Sequence, residues 1–449
     1  MGEGIAGPAC VLVVDLSGIE FIGSVGLRTL LQADQDLREF GRHPCLDRPV
    51  LIVTAVPAVR QGKPGFADSR AGNLGSMSPA DELLTVGVEE EFFAVDVTGH
   101  LSHLGAEVVE SAADDGEGEL QKELSQSQVE LATSVCHTRQ EVLTQIRDLR
   151  DELAITAARR GLRLVPSGAA PTAEDDLPGI TRNPRYQRIA EHFGATATTV
   201  VTCGCHVHVD MPDREIGIHV INHVRPWLPI LLAVTANSPI EFGLDTSYSS
   251  WRYQRWSQWP SAGPPPRFAS LDAYESIVDM WLRSGAILDR GMVYWDIRLS
   301  DKQPTVEFRI GDVAPSPEEA VLLAVLARAL TQAAVNAIDR PAPDLPNEVL
   351  RGHLWRAARD GLTGQCPHPR DGRLVPARAV LDDLIGHVTP FLRANDDFDF
   401  VKDAVSRLLA TGNGADRQRR LFGMTHRPED VVDLLALRCG YPDRHDEPT

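Results

Sequence analysis

The sequence predicts an α+β protein built around a mainly antiparallel sheet. Extended runs interleave with helical ones over residues 83–440, several are polar on one face only, and residues 293–299 and 305–310 are close enough to pair as a hairpin across Ser300 to Pro304. At 449 residues, 43% of them hydrophobic, the chain has room for more than one unit and for a sizeable core.

Taken in order, residues 11–16 read as an apolar strand, 24–40 as a helix closed by Gly41, and 50–56 as a second strand, which together make a small α/β fragment. Residues 61–82 hold Gly, Ser, Pro and Asp with almost no apolar periodicity and read as a linker. The expected division is therefore 1–60, a linker at 61–82, and a long domain over 83–445. Within that domain, 85–97 is strand-like, and 120–135 is a second extended stretch after an acidic loop. Thr138 and Glu141 form a capping-box pattern, and Val142, Ile146, Leu149, Leu153 and Ala157 follow at helical spacing until Gly161. Residues 200–210 alternate as a strand, and 215–237 read as one buried helix. Another helix opens at Ser316 and runs to about residue 338, and the last hundred residues look helical. No internal repeat is evident.

Sixty-three acidic against forty-four basic side chains give a net charge of −19, which disfavours nucleic acid and anionic membrane surfaces as partners. It leaves anionic substrates open, because clustered carboxylates can hold divalent cations that reverse the local sign. Seven scattered cysteines do not suggest a disulfide framework, the first residues lack a basic start with an apolar core, and the most apolar stretches are broken by charge. A cytoplasmic protein without a membrane span is the expectation.

Four segments place acids inside otherwise apolar extended sequence, where residues i and i+2 share a face. Glu89 and Glu91 share one, with Val88, Glu90 and Phe92 on the other. Like charges about 7 Å apart on a sheet repel unless water or a cation lies between them, so a solvated face and a metal site compete as readings. Glu123 and Glu130 flank a short polar run that by itself suits an ordinary strand or turn. His206, His208 and Asp210 share a face opposite Cys205, Val207 and Val209, a ligand-like spacing that two hydrogen-bonded strand histidines would also satisfy. Glu307 with Arg309, beside Asp296 with Arg298, reads equally as cross-strand ion pairing. Together these strands supply oxygen-rich ligands of the kind that accompany Mg²⁺ or Mn²⁺ and nucleotide phosphate.

Those residues carry a resemblance. The stretch from Thr85 to Phe92, the run Glu123 to Cys136, Gly204 to Val209, Asn237 to Pro239 with Asp245 to Arg252, Arg255 to Pro266, and Trp295 to Arg298 with Thr305 to Arg309 are similar to the glutamate-cysteine ligase superfamily. The resemblance is specifically to its bacterial carboxylate-amine ligase branch, glutamate-cysteine ligase type 2, over roughly residues 83–440. The resemblance implies a curved, mainly antiparallel sheet with helices behind it, like a catalytic half of glutamine synthetase. It further implies an ATP-dependent ligase that makes an amide through an acyl phosphate, with weak glutamate–cysteine ligation and small-molecule acid and amine substrates. Metal ligands for Mg²⁺ or Mn²⁺ then fall on Glu89, Glu91, Glu123, Glu130, His206 and Glu307, and catalytic roles on Glu307 and Arg309. Arg252, Arg255, Tyr248 and His208 are the expected substrate contacts, whereas Trp256 and Trp259 read as core packing. One departure stands out: many relatives carry Gly-Thr-His-Pro after the long helix, where this chain has Gly168, Ala169, Ala170 and Pro171.

Residues 11–31 resemble the middle of a STAS domain, the fold of anti-sigma-factor antagonists, whose phosphorylated serine falls on Ser24. That resemblance implies an anti-sigma-type partner through residues 1–60. A homo-oligomer is compatible with all of this. Two other functions compete: a metal-dependent hydrolase using His206 and His208, and a non-enzymatic regulator led by the STAS-like segment.

Overall fold

The computed structural model describes residues 11–15, 50–54, 83–112, 118–172, 179–211 and 213–438. The chain divides into two compact units, 1–75 and 76–449. In the first, Val11–Asp15 (β1) and Val50–Thr54 (β2) pair in parallel with Val11 opposite Val50. The helix expected over 24–40, Ser24 and the linker at 61–82 lie outside the described residues.

The second unit is organised by the ten-residue strand Val86–Val95 (β3). Glu119–Lys122 (β4), Gln128–Ala132 (β5), Arg163–Val165 (β6) and Gly204–Asp210 (β7) follow it, then the short pair Ile240–Glu241 (β8) and Leu244–Asp245 (β9), then Ile297–Leu299 (β10) and Thr305–Asp312 (β11). Seven of these form one sheet in the order β10-β11-β7-β3-β5-β4, with β6 also on β3 and every pairing antiparallel. The register between β11 and β7 shifts between Phe308 and Gly311, a bulge of the kind that bends a strand locally. The expected hairpin is thus present as β10 and β11.

One face of the sheet is apolar for the reason the alternation gave. Val88, Phe92, Val129, Leu131, Cys205, Val207, Val209, Val306 and Phe308 are all buried, and helices Arg139–Ala158 and Pro317–Val335 pack against β3, with the latter also on β7. Glu90 points to that same side without any exposure, and Arg150 of the first helix meets it with bonds of 2.8 and 2.6 Å. Thr138 caps that helix by accepting from the Glu141 amide, and Glu141 in turn accepts from the His137 amide at 2.8 Å. The single helix expected over 215–237 is instead two, Arg214–Val224 and Leu228–Thr235, joined by a 3₁₀ turn at Arg225–Trp227. Pro226 and Pro229 remove amide donors there, which periodicity does not register. Among the described residues no helix is long and apolar enough to cross a membrane.

Candidate active site

The polar face of the sheet gathers the acids by register. Glu91 on β3 lies opposite Glu130 on β5, Glu89 lies opposite His206 on β7, and Glu307 on β11 lies between His208 on β7 and Arg298 on β10. Glu123, from the turn between β4 and β5, completes the group. Two sets result, Glu89 with His206 and Glu307, and Glu91 with Glu123 and Glu130, each offering ligand atoms within 4.8 Å of one another. Side chains separated by more than 200 positions therefore share one basin because four neighbouring strands hold them on the same face.

Each ligand is fixed by a neighbour. His206 Nδ1 is 3.2 Å from Glu89, and His208 bridges Thr305 Oγ1 at 2.8 Å and Glu89 at 3.2 Å. The Gly204 amide donates to Glu91 at 2.7 Å. Arg298 grips Glu307 with bonds of 2.7 and 3.1 Å, and Arg309 reaches the same carboxylate at 2.5 Å.

The charges are unequally settled. Burial, then the Glu123 charge, pushes the Glu91 carboxyl up to about 7, against Arg252, the Gly204 amide and Arg309. Burial, then the hydrogen bond and charge of Glu123, lifts Glu130 well above the usual carboxylate range. Burial also opposes ionisation of Glu89 and Glu307, but His206 and His208 hold the first low, and Arg298 and Arg309 hold the second low. Burial reinforced by Arg309 brings His206 down to about 4, leaving a neutral imidazole at pH 7. Its Nε2 is buried without a hydrogen-bond partner, 4.0 Å from a Glu91 oxygen. A buried acceptor nitrogen without a partner, beside carboxylates that burial resists ionising, is the donor set of a hard divalent cation with mostly oxygen ligands.

Two hollows meet here. The smaller, ≈ 160 Å³, is lined by Glu89, Glu91, Glu123, Glu130 and His206 together with Arg185, Tyr186, Trp256, Trp259, Tyr294 and Arg309. The larger, ≈ 450 Å³, borders Glu89 and His208 and is walled by Gly87, Thr133, Ser134, Val135 and Thr305. Arg309 lies over the rings of Trp256 and Tyr294, 5.9 and 5.7 Å from their centres.

The expected substrate contacts divide. His208 borders the larger hollow, but Tyr248, Arg252 and Arg255 border neither. Arg255 is tied to Glu241 at 2.8 Å, and the Tyr248 hydroxyl accepts from Trp355 at 3.1 Å. Arg252 is buried, its guanidinium where a Cβ on Gly204 would point and its Nε without a hydrogen-bond partner. The short helix Trp251–Trp256 presents Trp256 to the cavity instead, so Trp256 and Trp259 belong to the wall and not only to the core. Sequence reasoning missed Arg185, Tyr186 and Tyr294. Asn183 followed by Pro184 signals the helix start that carries the first two, since Asn183 caps it, but nothing in the spacing shows that this helix roofs the acids. Ala169 and Ala170 are buried and line neither hollow.

The model of a family described as "Glutamate-cysteine ligase family 2(GCS2)" matches residues 85–436. A protein of Rhodococcus jostii (strain RHA1) named "Putative glutamate--cysteine ligase 2-1" is 50% identical over 366 residues, covering 80% of this chain and 99% of that one. A Nocardia farcinica (strain IFM 10152) protein of the same name is 47% identical over 354 residues, 78% of this chain and 91% of its own. Among solved structures, a glutamate–cysteine ligase from Francisella tularensis in complex with AMP superposes with a TM-score of 0.59 at 12% identity, over 78% of this chain and 87% of that one. A bifunctional glutathione synthetase from Pasteurella multocida gives 0.58 at 16% identity, over 79% of this chain and only 52% of the other. These two likenesses concern the fold.

Proposed function

The chain belongs to glutamate-cysteine ligase family 2, whose members are ATP-dependent ligases that form carbon–nitrogen bonds, and we propose on that premise that the carboxylate basin is where this chain activates an acid and passes it to an amine. Family membership sets aside the hydrolase built on His206 and His208 and the purely regulatory reading. The observation that carries the proposal is the gathering of Glu89, His206 and Glu307, and of Glu91, Glu123 and Glu130, into two ligand sets on one face of the sheet, with Glu89 bordering both hollows.

Joining a carboxylate to an amine is uphill in water, so the carboxylate first takes the γ-phosphoryl group of ATP, and the amine then displaces phosphate from the acyl phosphate. Both partners of the first step are anions. Glu89, His206 and Glu307 on one side and Glu91, Glu123 and Glu130 on the other would hold Mg²⁺ or Mn²⁺, which when bound offsets that repulsion and orients the phosphates. Arg309, held by Glu307 and backed by two aromatic faces, presents a fixed guanidinium to the transferring oxygens. The larger hollow has room for a nucleoside, and the smaller, roofed by Arg185 and Tyr186, keeps water from the activated acid. The relatives' names point to glutamate as the acid, with weak ligation to cysteine as the family expectation.

The test is ADP release by the full chain with Mg-ATP, L-glutamate and a panel of amines. Glu307→Gln should abolish it while the thermal melt stays cooperative. Full ADP release by that variant would remove Glu307 from the site.

A further inference from the structure

The wall of the smaller hollow contains hydrogen-bond donors that no described residue answers. Trp251 donates its indole N–H to Glu241 at 2.7 Å and Trp355 to Tyr248 at 3.1 Å, but those of Trp256 and Trp259, both in this wall, are buried without a partner. Trp259 is only 2% exposed, so bulk water does not serve it. Arg309 bonds Glu307 through Nη1 and keeps a buried Nε–H unpartnered in the same wall. Thr202 Oγ1, also buried and unpartnered there, can donate or accept, and the His206 Nε2 acceptor belongs with the ligand sets.

Arg252 adds charge to this corner. Its guanidinium carbon lies 5.8 Å from the centre of the Trp256 ring, against 5.9 Å for that of Arg309. Among the described residues it forms no ion pair: the guanidinium reaches the Arg309 carbonyl at 3.4 Å, and its buried Nε has no partner. The buried carboxylates within range of its charge are Glu91, Asp296 and Asp312, and each is otherwise engaged. Asp312 accepts from Asn237, Ser238 and Ser250 at 2.8, 2.6 and 2.7 Å, Asp296 from Tyr253 at 3.2 Å, and Glu91 from the Gly204 amide. A buried donor without a partner costs about 1–3 kcal/mol. Indole N–H and guanidinium Nε–H can only donate, so the group that satisfies this corner is one that only accepts, and the positive charge selects an anion. A carboxylate fits both demands.

We propose that Trp256 and Trp259 determine specificity: their indole N–H groups, backed by the charge of Arg252 and Arg309, receive a substrate carboxylate that takes no part in bond making; this rests on the ligase reading above. That carboxylate comes from the acid, beyond the carboxyl that is phosphorylated, or from the amine, and the same donors suit either source.

Phenylalanine in place of either tryptophan removes the N–H and keeps a ring. With the full chain and Mg-ATP, one arm varies the acid, L-glutamate against 4-aminobutyrate with L-cysteine as amine. The other varies the amine, L-cysteine against cysteamine with L-glutamate as acid. The wild type should favour the carboxylate-bearing member in at least one arm, and Trp256→Phe and Trp259→Phe should each cut that kcat/KM preference about tenfold, the effect of one hydrogen bond to a charged group. The arm whose ratio falls identifies the substrate that supplies the carboxylate. Chain labelled with ¹⁵N-tryptophan gives a second measurement, in the presence of Mg²⁺ and a non-hydrolysable ATP analogue. The same substrate should shift the indole N–H signals of Trp256 and Trp259, assigned from the two variants, and its carboxylate-free counterpart should not. Unaltered ratios in both arms, including a variant that slows both members of each pair alike, or indole signals that stay in place, overturn the inference and leave the ligase standing. Absence of ADP release by the wild type in every pairing overturns the ligase reading and the inference with it.

Discussion

Gly204 opens β7 with its amide on the Glu91 carboxylate, and a Cβ added there would lie 2.3 Å from the Arg252 guanidinium. The glycine lets a buried arginine press against the strand on the face it shares with His206, close to the Glu91 carboxylate. Gly204→Ala should therefore cost about 1–3 kcal/mol of stability through overpacking, measurable by urea unfolding, and should lower ligation further by displacing Glu91. Glu91 also sets a pH dependence. Its carboxyl is pushed up to about 7, so near neutrality a proton must leave before the oxygens can bind a cation. Mg²⁺ or Mn²⁺ affinity should rise as pH increases through 7, with proton release visible by titration calorimetry in buffers of different ionisation enthalpy. An affinity flat between pH 6 and 8 would contradict this. At this scale the period of two was enough to pair Glu89 with Glu91 and Glu307 with Arg309 on one face. It could not say which way the helix Trp251–Trp256 turns its arginines, because one and a half turns of mixed aromatic and basic residues have no single apolar stripe to orient them.

At the scale of elements, the sheet is anchored to its helices by charge as well as by packing. Glu90 and Arg150 are both without exposure, and Arg150 also donates to the Ala314 carbonyl at 2.8 Å. Arg150→Met leaves Glu90 buried and unpaired, so it should destabilise by about 3–5 kcal/mol, far more than any surface pair. Glu90→Gln with Arg150→Met should recover part of that loss in the same unfolding assay. The strands of the site and the long capped helix were legible because alternation and caps are local signals. The break at Pro226 and the order of strands across the sheet were not, since strand order is fixed by pairings between segments far apart in the chain.

For the whole molecule, the match to the family begins at residue 85, and the Rhodococcus jostii relative is covered over 99% of its length by 80% of this chain. Relatives of that extent have no counterpart of the first unit. Removing residues 1–75 should therefore leave the ADP-release rate within about twofold, a change of less than 1 kcal/mol in barrier. A larger loss would give the N-terminal unit a part in the chemistry. The linker expected over 61–82 lies outside the described residues, and the match to the family begins just beyond it, at residue 85.

Glu89 borders both hollows at once. On the function proposed above, a mixed anhydride made at that common partition would be born next to its consumer, with no stretch of bulk solvent to traverse, and architecture would hold wasteful turnover down. Incubated with nucleotide and acid but no acceptor, the enzyme should consume about one equivalent of ATP per site and then stall, a burst that a quenched-flow experiment would register directly.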